Sequence, residues 1–161
     1  MGQVKIDWIE PGAIAASGIP LGLKDLDSLR EQGIRAIVTL TEHPLTVQTE
    51  ITWDVLEEMD FLCLHAPVED QYPPDRTTVH TVTQFLRQMR SAGRPVLLHC
   101  HAGVGRTGTL LHAYYLMEGL SLQEAQVKVR GARTSSQFLL LSDAQKMFLE
   151  ELAKERDRGD P

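Results

Sequence analysis

Residues 95–118 read PVLLHCHAGVGRTGTLLHAYYLME and contain a strand pattern, a glycine-bearing loop and a helix pattern in succession. The apolar run from Pro95 to His99 follows a helical pattern and predicts a buried strand. The segment from Thr109 to Glu118 is apolar nearly all round, which is typical of a helix buried at the centre of a domain. Cys100 therefore stands at the end of a strand, and Arg106 stands where the next helix begins.

Strand and helix patterns alternate along the rest of the chain as well. We predict short strands near residues 6–9, 13–16, 34–40 and 61–65. Apolar spacing and capping signals predict helices in segments 23–33, 53–59, 79–93, 121–131 and about 142–155. These patterns indicate an α/β fold: one domain over residues 1–155, with a central, mostly parallel sheet flanked by helices, and a charged, frayed tail at residues 156–161.

The composition is that of one globular domain. At 161 residues, of which 42% are hydrophobic, the chain can bury a single substantial core. The net charge of −6 makes the surface as a whole repel nucleic acid and anionic lipid, so an anion site has to be local. Two cysteines, Cys63 and Cys100, are too few for a disulfide framework, and no segment reaches the roughly 18 apolar residues of a membrane span. We expect a cytoplasmic protein with no nucleic-acid partner and no membrane anchor.

The loop that follows Cys100 has the composition of an anion-binding turn. Backbone amides of a tight loop can all point at a tetrahedral anion, and the N-terminus of the following helix adds partial positive charge. Gly103 and Gly105 permit the backbone angles that such a loop needs. The loop amides and the partial positive charge of the helix N-terminus also favour the thiolate of Cys100, which is then a nucleophile at neutral pH. The predicted phosphate-binding residues are His101, Ala102, Gly103, Val104, Gly105 and Arg106.

Three neighbours of the loop have predicted roles. Arg106 can place its planar guanidinium over the loop and bind two phosphate oxygens, which a lysine could not reproduce. Thr107 can donate its hydroxyl to the cysteine sulfur and help it leave when a phosphocysteine breaks down. His99 can orient the loop, because a neutral imidazole both donates and accepts hydrogen bonds.

Residues 99–107 match the signature His-Cys-x5-Arg-Ser/Thr of the protein tyrosine phosphatase superfamily. More narrowly, the chain resembles the small atypical dual-specificity phosphatases and their archaeal and bacterial relatives over roughly residues 7–150. The likeness also covers Pro11-Gly12, Leu40-Thr41-Glu42, residues 65–70, Arg130 and Arg133. It implies a cysteine-dependent phosphatase that hydrolyses phosphotyrosine, with phosphoserine and phosphothreonine as further candidates, through a phosphocysteine intermediate. Its partners would be phosphorylated proteins or peptides.

A phenolate leaves poorly unless it is protonated, so this chemistry needs a carboxylic acid beside the leaving oxygen. The proline-rich loop after residue 65 offers Glu69, Asp70 and Asp75. Asp70 is the predicted general acid, because it lies at the matching place of the segment that resembles the family's mobile acid loop. Asp75 is the alternative.

The resemblance also implies a glutamine that positions water for the second step, near the start of a late helix. Gln145 matches that place. Ser142 and Gln145 are also spaced as a capping box, in which the Gln145 side chain would only satisfy a backbone amide. Both interpretations stay open, and Gln137 is a further candidate.

Departures from the family pattern bear on the substrate. Thr134 stands where many relatives have proline, so the shape of that loop is open. His101 and Val104 occupy positions where phosphoinositide-specific relatives have lysines, which argues against a dedicated inositol-phosphate enzyme. The alternative function is a phosphatase acting on RNA 5′ ends, nucleotides or inositol phosphates, and the acidic composition disfavours the basic rim it would need.

Other interpretations of the same residues are weaker. A sulfur-transfer enzyme also uses a cysteine in an anion loop, but a shorter one, and a non-catalytic phosphopeptide-binding module would not need Cys100, Arg106 and Asp70 together. A metal site at His99, Cys100 and His101 has no second ligand pair at suitable spacing. We therefore expect no metal and no organic cofactor. A disulfide between Cys63 and Cys100 would require α-carbons within about 7 Å.

Overall fold

The computed structural model describes residues 4–102 and 104–159. Within them, five strands form one sheet: β1 (Asp7–Glu10), β2 (Ile14–Ser17), β3 (Ala36–Thr39), β4 (Leu62–His65) and β5 (Val96–His99). The described α-helices are α1 (Gly22–Glu31), α2 (Trp53–Glu58), α3 (Arg76–Ser91), α4 (Gly105–Met117), α5 (Leu122–Ala132) and α6 (Asp143–Asp157). The predicted α/β fold with a mostly parallel sheet is confirmed.

The strand order in the sheet is β1-β2-β5-β3-β4. β1 is antiparallel to β2, and the other neighbouring pairs are parallel. β5 therefore lies at the centre, and its last residue, His99, pairs in register with Ser17 of β2 and Thr39 of β3. Open α/β sheets bind ligands just beyond the carboxyl ends of their strands. The residues after His99 lie at that place.

Helices cover both faces of the sheet, which explains why the strands are apolar without alternation. On one face, side chains such as Val38 and Leu98 pack against α3, α4 and α5. On the other face, Ile37 and Leu97 pack against α1 and α2. α4 is buried from Arg106 to Leu116 because α6 packs on the side of it that faces away from the sheet.

Gly108 lets a pair of short 3-10 turns, Thr134–Ser136 and Phe138–Leu140, approach α4 closely. A Cβ atom at this position would lie 2.7 Å from the carbonyl oxygen of Ser136 and 3.0 Å from Cδ2 of Leu141. A side chain here would therefore push the 3-10 segment away from α4. The close approach brings Leu140 to the rim of the cleft described below.

The helix boundaries differ from the predicted ones by up to three residues, and the largest difference is the start of α3 at Arg76 instead of residue 79. α4 begins at Gly105, one residue before the predicted start at Arg106, so Arg106 and Thr107 lie in its first turn. Gly131 lies inside α5 instead of ending it, and Arg133 is the C-cap. α6 continues to Asp157, two residues beyond the predicted end, because Arg156 is held by the carbonyl of Gly119. Among the helices of the described residues, none is long and apolar enough to span a membrane.

Candidate active site

A cleft of about 260 Å³ opens at the carboxyl end of β5. Four segments line it: the loop after β5, the start of α4, the acid loop between β4 and α3, and the start of α6 with the 3-10 turn before it. The lining residues are Asp70, Gln71, Cys100, His101, Ala102, Val104, Gly105, Arg106, Leu140, Ser142 and Gln145. The cleft thus brings together most of the residues that the sequence predicts for the site. Gly103 lies outside the described residues.

The Cys100 side chain lies at the floor of the cleft and is 3% exposed. The hydroxyl of Thr107, in the first turn of α4, donates a hydrogen bond to its sulfur over 3.2 Å. The N-cap residue of α4, Val104, provides no side-chain hydrogen bond to the amides of that turn. A helix N-terminus without a capping side chain keeps amide donors available for an anion.

His99 is fully buried beneath the loop. One ring nitrogen, Nδ1, lies 3.1 Å from the carbonyl oxygen of Cys100, and Nε2 lies 2.8 Å from the hydroxyl of Thr39. Burial lowers the pKa of His99 to about 4, so the ring is neutral at neutral pH. A carbonyl can only accept, so Nδ1 carries the proton and Nε2 accepts from Thr39. This arrangement fixes the backbone of Cys100 at the end of β5.

The Arg106 guanidinium is almost entirely buried, and one of its nitrogens is held in place. Nη1 donates to Glu42 Oε1 over 2.6 Å and to the carbonyl of Val68 over 3.1 Å. Nε has no hydrogen-bond partner among residues 4–102 and 104–159. Nη2 lies 3.7 Å from Asp70 Oδ1, beyond hydrogen-bond distance. The Nε and Nη2 edge is therefore available to an anion in the cleft.

Glu42 is a site residue that the sequence reasoning did not single out, although it falls within the Leu40-Thr41-Glu42 segment of family likeness. Besides holding Arg106, its Oε2 accepts from the backbone amide of Asp70 over 3.4 Å. Hydrogen bonds from its own backbone amide, and then from Arg106 and the Asp70 amide, lower the pKa of Glu42. Glu42 therefore stays ionised and links the arginine to the acid loop.

The three candidate acids have different environments. Asp70 lines the cleft, and 64% of its side chain is exposed. Asp75 is the N-cap of α3, where its Oδ1 accepts from the amide of Thr78 over 2.7 Å. That hydrogen bond lowers the pKa of Asp75. Glu69 is exposed and is not among the residues lining the cleft. The geometry favours Asp70 as the acid and gives Asp75 a helix-capping role.

Gln145 takes part in a capping box and also lines the cleft. Its Oε1 accepts from the amide of Ser142 over 3.0 Å, and its own amide donates to the Ser142 hydroxyl over 3.2 Å. The side chain is 1% exposed, and a Cβ atom on Gly105 would lie 3.1 Å from both its Oε1 and its Nε2. Both interpretations of Gln145 are thus compatible with its position. Gln137 is the N-cap of the Phe138–Leu140 turn.

Arg130 lies in the last turn of α5 and Arg133 is its C-cap, and their surroundings differ. Arg133 is buried, and it contacts Asp7 of β1 and Ser136 of the 3-10 turn. Arg133 therefore supports the 3-10 segment that lies against α4. Arg130 is exposed.

Cys63 and Cys100 lie on opposite faces of the sheet. Cys63 pairs in register with Ile37 of β3, which pairs with Leu97 of β5. Two strand spacings separate Cys63 from β5, about 10 Å, which exceeds the α-carbon distance that a disulfide spans. Burial raises the pKa of the Cys63 thiol to about 11. A disulfide with Cys100 would require the sheet to rearrange.

Known proteins with similar sequences are phosphatases. Residues 14–120 match the family described as "Tc-R-P: Polymorphic toxin system, DSP-PTPase phosphatase". The chain is 32% identical over 109 residues to dual specificity protein phosphatase Mpk3 of Drosophila melanogaster, covering 66% of this chain and 25% of that protein. It is 34% identical over 108 residues to dual specificity protein phosphatase 22-B of Danio rerio, covering 65% of this chain and 55% of that protein. The aligned part is about a quarter to about half the length of these relatives.

A solved structure with the same fold is Tk-PTP in its active form, with a TM-score of 0.78 and 28% identity over 92% of this chain and 96% of that one. PTPMT1 shares the fold at a TM-score of 0.79 and 20% identity, over 96% of this chain and 98% of that one. The family match covers more than half of the chain. The chain therefore belongs to the DSP-PTPase phosphatase family, within the protein tyrosine phosphatase superfamily.

Proposed function

We propose that this chain hydrolyses phosphotyrosine, and also phosphoserine and phosphothreonine, in phosphorylated proteins or peptides, with Cys100 as nucleophile. The proposal rests on one cleft that holds the Cys100 sulfur, the Asp70 carboxyl and the Arg106 guanidinium, whose Nε has no hydrogen-bond partner in the described part of the chain. A nucleophile, a bidentate anion clamp and an acid are the three groups that phosphate ester cleavage at a cysteine requires.

Substrate binding uses donor groups that have no hydrogen-bond partner among residues 4–102 and 104–159. The Nε and Nη2 edge of Arg106 presents two parallel donors to two phosphate oxygens, while Nη1 stays on Glu42 and Val68. The uncapped first turn of α4 and the loop amides bind the remaining oxygen atoms. A buried donor without a partner is costly, so an anion in the cleft removes that cost.

In the first step, the Cys100 thiolate attacks phosphorus, the bond between sulfur and phosphorus forms, and the bond from phosphorus to the leaving oxygen breaks. Asp70 gives its proton to that oxygen, so the product alcohol leaves neutral. The acid is exposed at the mouth of the cleft, where the alcohol part of a substrate protein would lie. The phosphoryl group is left on Cys100.

In the second step, water attacks the phosphocysteine and Asp70 accepts the proton of that water. The bond between sulfur and phosphorus breaks, and inorganic phosphate is released. Thr107 donates to the sulfur as it leaves, which stabilises the returning thiolate. Gln145 lies against Gly105 at the edge of the loop, where its amide can orient the attacking water.

The size of the site supports dual specificity. The cleft measures about 260 Å³, small for a ligand site, and its rim includes the exposed Leu140. A short pocket admits the alkyl esters of phosphoserine and phosphothreonine as well as the longer phosphotyrosine. The relatives reported above are named dual specificity phosphatases. A cytoplasmic location fits two free cysteines, one of which has to stay reduced to act.

A substrate panel tests this proposal. kcat/KM is measured for phosphotyrosine, phosphoserine and phosphothreonine peptides, a phosphoinositide and a triphosphorylated RNA, with Cys100→Ser purified in parallel as the control for contaminating phosphatase. We expect the phosphotyrosine peptide to be the best substrate and the other two peptides to be hydrolysed measurably. A higher kcat/KM for the RNA or the phosphoinositide would contradict the proposal.

A further inference from the structure

The N-terminus of α6 holds the acid loop through two consecutive carbonyl groups. The Ser142 hydroxyl donates to the carbonyl oxygen of Gln71 over 2.7 Å. The Gln145 side-chain amide donates to the carbonyl oxygen of Tyr72 over 3.4 Å. Gln71 and Tyr72 directly follow Asp70 in the chain. These two hydrogen bonds, the cap tether, span 71 and 73 residues of sequence and connect the loop of the proposed acid to α6.

Ser142 has two separate tasks in this arrangement. As the N-cap of α6, its oxygen accepts a hydrogen bond from the backbone amide of Gln145. As part of the cap tether, its only hydroxyl hydrogen goes to the carbonyl of Gln71. The tasks can be separated experimentally, because glycine is nearly as favourable as serine at an N-cap position but has no hydrogen to give.

The acid loop needs an external support at this point. The Asp70 side chain is mostly exposed and makes no contact short enough to be a hydrogen bond with Arg106. Gln71 has a φ angle of +73° at the third position of a turn in which the amide of Tyr72 donates to the carbonyl of Glu69 over 3.1 Å, and the cap tether holds this turn from outside. Just before Asp70, the loop is fixed at Val68, whose amide donates to Leu40 and whose carbonyl accepts from Arg106. The cap tether is the matching support after Asp70.

We propose that Ser142 is a positioning residue that holds Asp70 over the cleft through the carbonyl of Gln71. The inference rests on the proposed function, because it takes Asp70 as the general acid. Gln145 supports the same arrangement, because its side chain donates to the carbonyl of Tyr72 and also lies against Gly105, the first residue of α4 after the phosphate-binding loop. The N-terminus of α6 therefore fixes the distance between the acid loop and the phosphate-binding loop after β5.

The test compares two substrates that differ in how much they need the acid. Phenyl phosphate has a basic leaving oxygen, and dinitrophenyl phosphate has a weakly basic one that departs without a proton. Ser142→Gly should lower kcat/KM for phenyl phosphate by roughly 10-fold to 100-fold, because small misplacement of a catalytic group is costly. It should change kcat/KM for dinitrophenyl phosphate by less than about threefold. Ser142→Thr keeps the hydroxyl and should retain most of the phenyl phosphate rate.

Helix α5 supplies the matched control. Its N-cap, Ser121, forms the same capping box with Glu124 and lies away from the acid loop. Ser121→Gly should cost the small amount of thermal stability that a lost N-cap costs and leave both rates unchanged. If Ser142→Gly slows both substrates equally, or neither, the cap tether does not position the acid.

A double variant separates this inference from the proposed function. Asp70→Asn with Ser142→Gly should be no slower on phenyl phosphate than Asp70→Asn alone, because the cap tether acts only through Asp70. A further loss in the double variant would show that Ser142 acts elsewhere. If Asp70→Asn by itself slows both substrates to the same extent, Asp70 is not the acid and the positioning role fails, whereas the proposed phosphatase activity fails only if Cys100→Ser still hydrolyses the substrates.

Discussion

Glu42 Oε1 lies 2.6 Å from Arg106 Nη1, and this pair determines which edge of the arginine faces the cleft. With Nη1 occupied by Glu42 and by the carbonyl of Val68, Nε and Nη2 are the Arg106 donors left without a hydrogen bond among the residues that the structure describes. The arginine is buried while half of the Glu42 side chain is exposed. The protein thus orients its anion clamp with a carboxylate that remains at the surface.

Glu42→Gln should weaken this orientation without removing the clamp. The variant keeps a neutral acceptor for Nη1 but loses the charge, so we expect kcat/KM for a phosphotyrosine peptide to fall by about tenfold. Glu58→Gln on the exposed end of α2 makes the same charge change far from the cleft and should have no effect. Equal losses in the two variants would mean that only net charge matters.

Arg106→Lys should lose most of the activity although it keeps a positive charge. A lysine ammonium cannot bind two phosphate oxygens in one plane, and it cannot keep Glu42 and Val68 at the same time. We expect kcat/KM to fall by at least about 10²-fold, the usual cost of removing one preorganised donor. Steady-state kinetics on the phosphotyrosine peptide check this. A lysine variant within threefold of the wild type would rule out bidentate clamping.

Asp70→Asn should slow the hydrolysis of phenyl phosphate by roughly 10² to 10⁴, the usual contribution of general acid catalysis, and dinitrophenyl phosphate much less. Asp75→Asn is the matched control, because asparagine also accepts at an N-cap and should keep the start of α3. Glu69→Gln should behave like the wild type. If Asp75→Asn shows the dependence on the leaving group and Asp70→Asn does not, Asp75 is the acid.

His99 should make folding stability depend on pH. Its pKa is about 4 in the folded protein and about 6.5 when unfolded, so the unfolded chain takes up a proton first. Stability is therefore full above about pH 6.5 and falls as the pH drops towards 4, by about 2 kcal/mol between pH 7 and pH 5. His112, whose pKa burial also lowers, acts in the same direction.

Urea unfolding of the wild type and His99→Gln at these two pH values isolates the His99 contribution, because the His112 contribution is common to both proteins. The wild type should lose more stability on acidification by about 2 kcal/mol. Equal losses of unfolding free energy in the wild type and His99→Gln would show that burial does not lower the pKa of His99. An NMR titration of the imidazole in the wild type gives the same answer if the variant does not fold.

Local signals in the sequence predicted local structure well. Both capping boxes, at Ser121 and Ser142, form as their spacing indicates, because each needs only residues within one turn of helix. The strand that ends at His99 is also correctly predicted, since it is a continuous apolar run. The start of α4 lies one residue before the predicted position, because Gly105 was interpreted as loop although helices tolerate glycine in their first turn.

Long-range contacts were beyond prediction from the sequence. Glu42 and Arg106 are 64 residues apart, and Ser142 and Gln71 are 71 residues apart. Neither pair has a local pattern, and each depends on the order of the strands and on how α6 packs against α4. The role of Asp75 could have been inferred, since Asp75 stands directly before the predicted helix and can cap it.

A phosphoryl group that passes through Cys100 can be trapped there as phosphocysteine before water attacks it. The wild type is mixed with a radiolabelled phosphotyrosine peptide, quenched in acid within the first turnover, and digested for mass spectrometry, with Cys100→Ser and Cys63→Ser treated identically. We expect one phosphate group on the peptide that contains Cys100, both in the wild type and in Cys63→Ser. Cys100→Ser should carry no label and release no phosphate while still binding vanadate. Phosphate release by Cys100→Ser at a rate near that of the wild type, or label on another residue, would show that Cys100 does not carry the phosphoryl group.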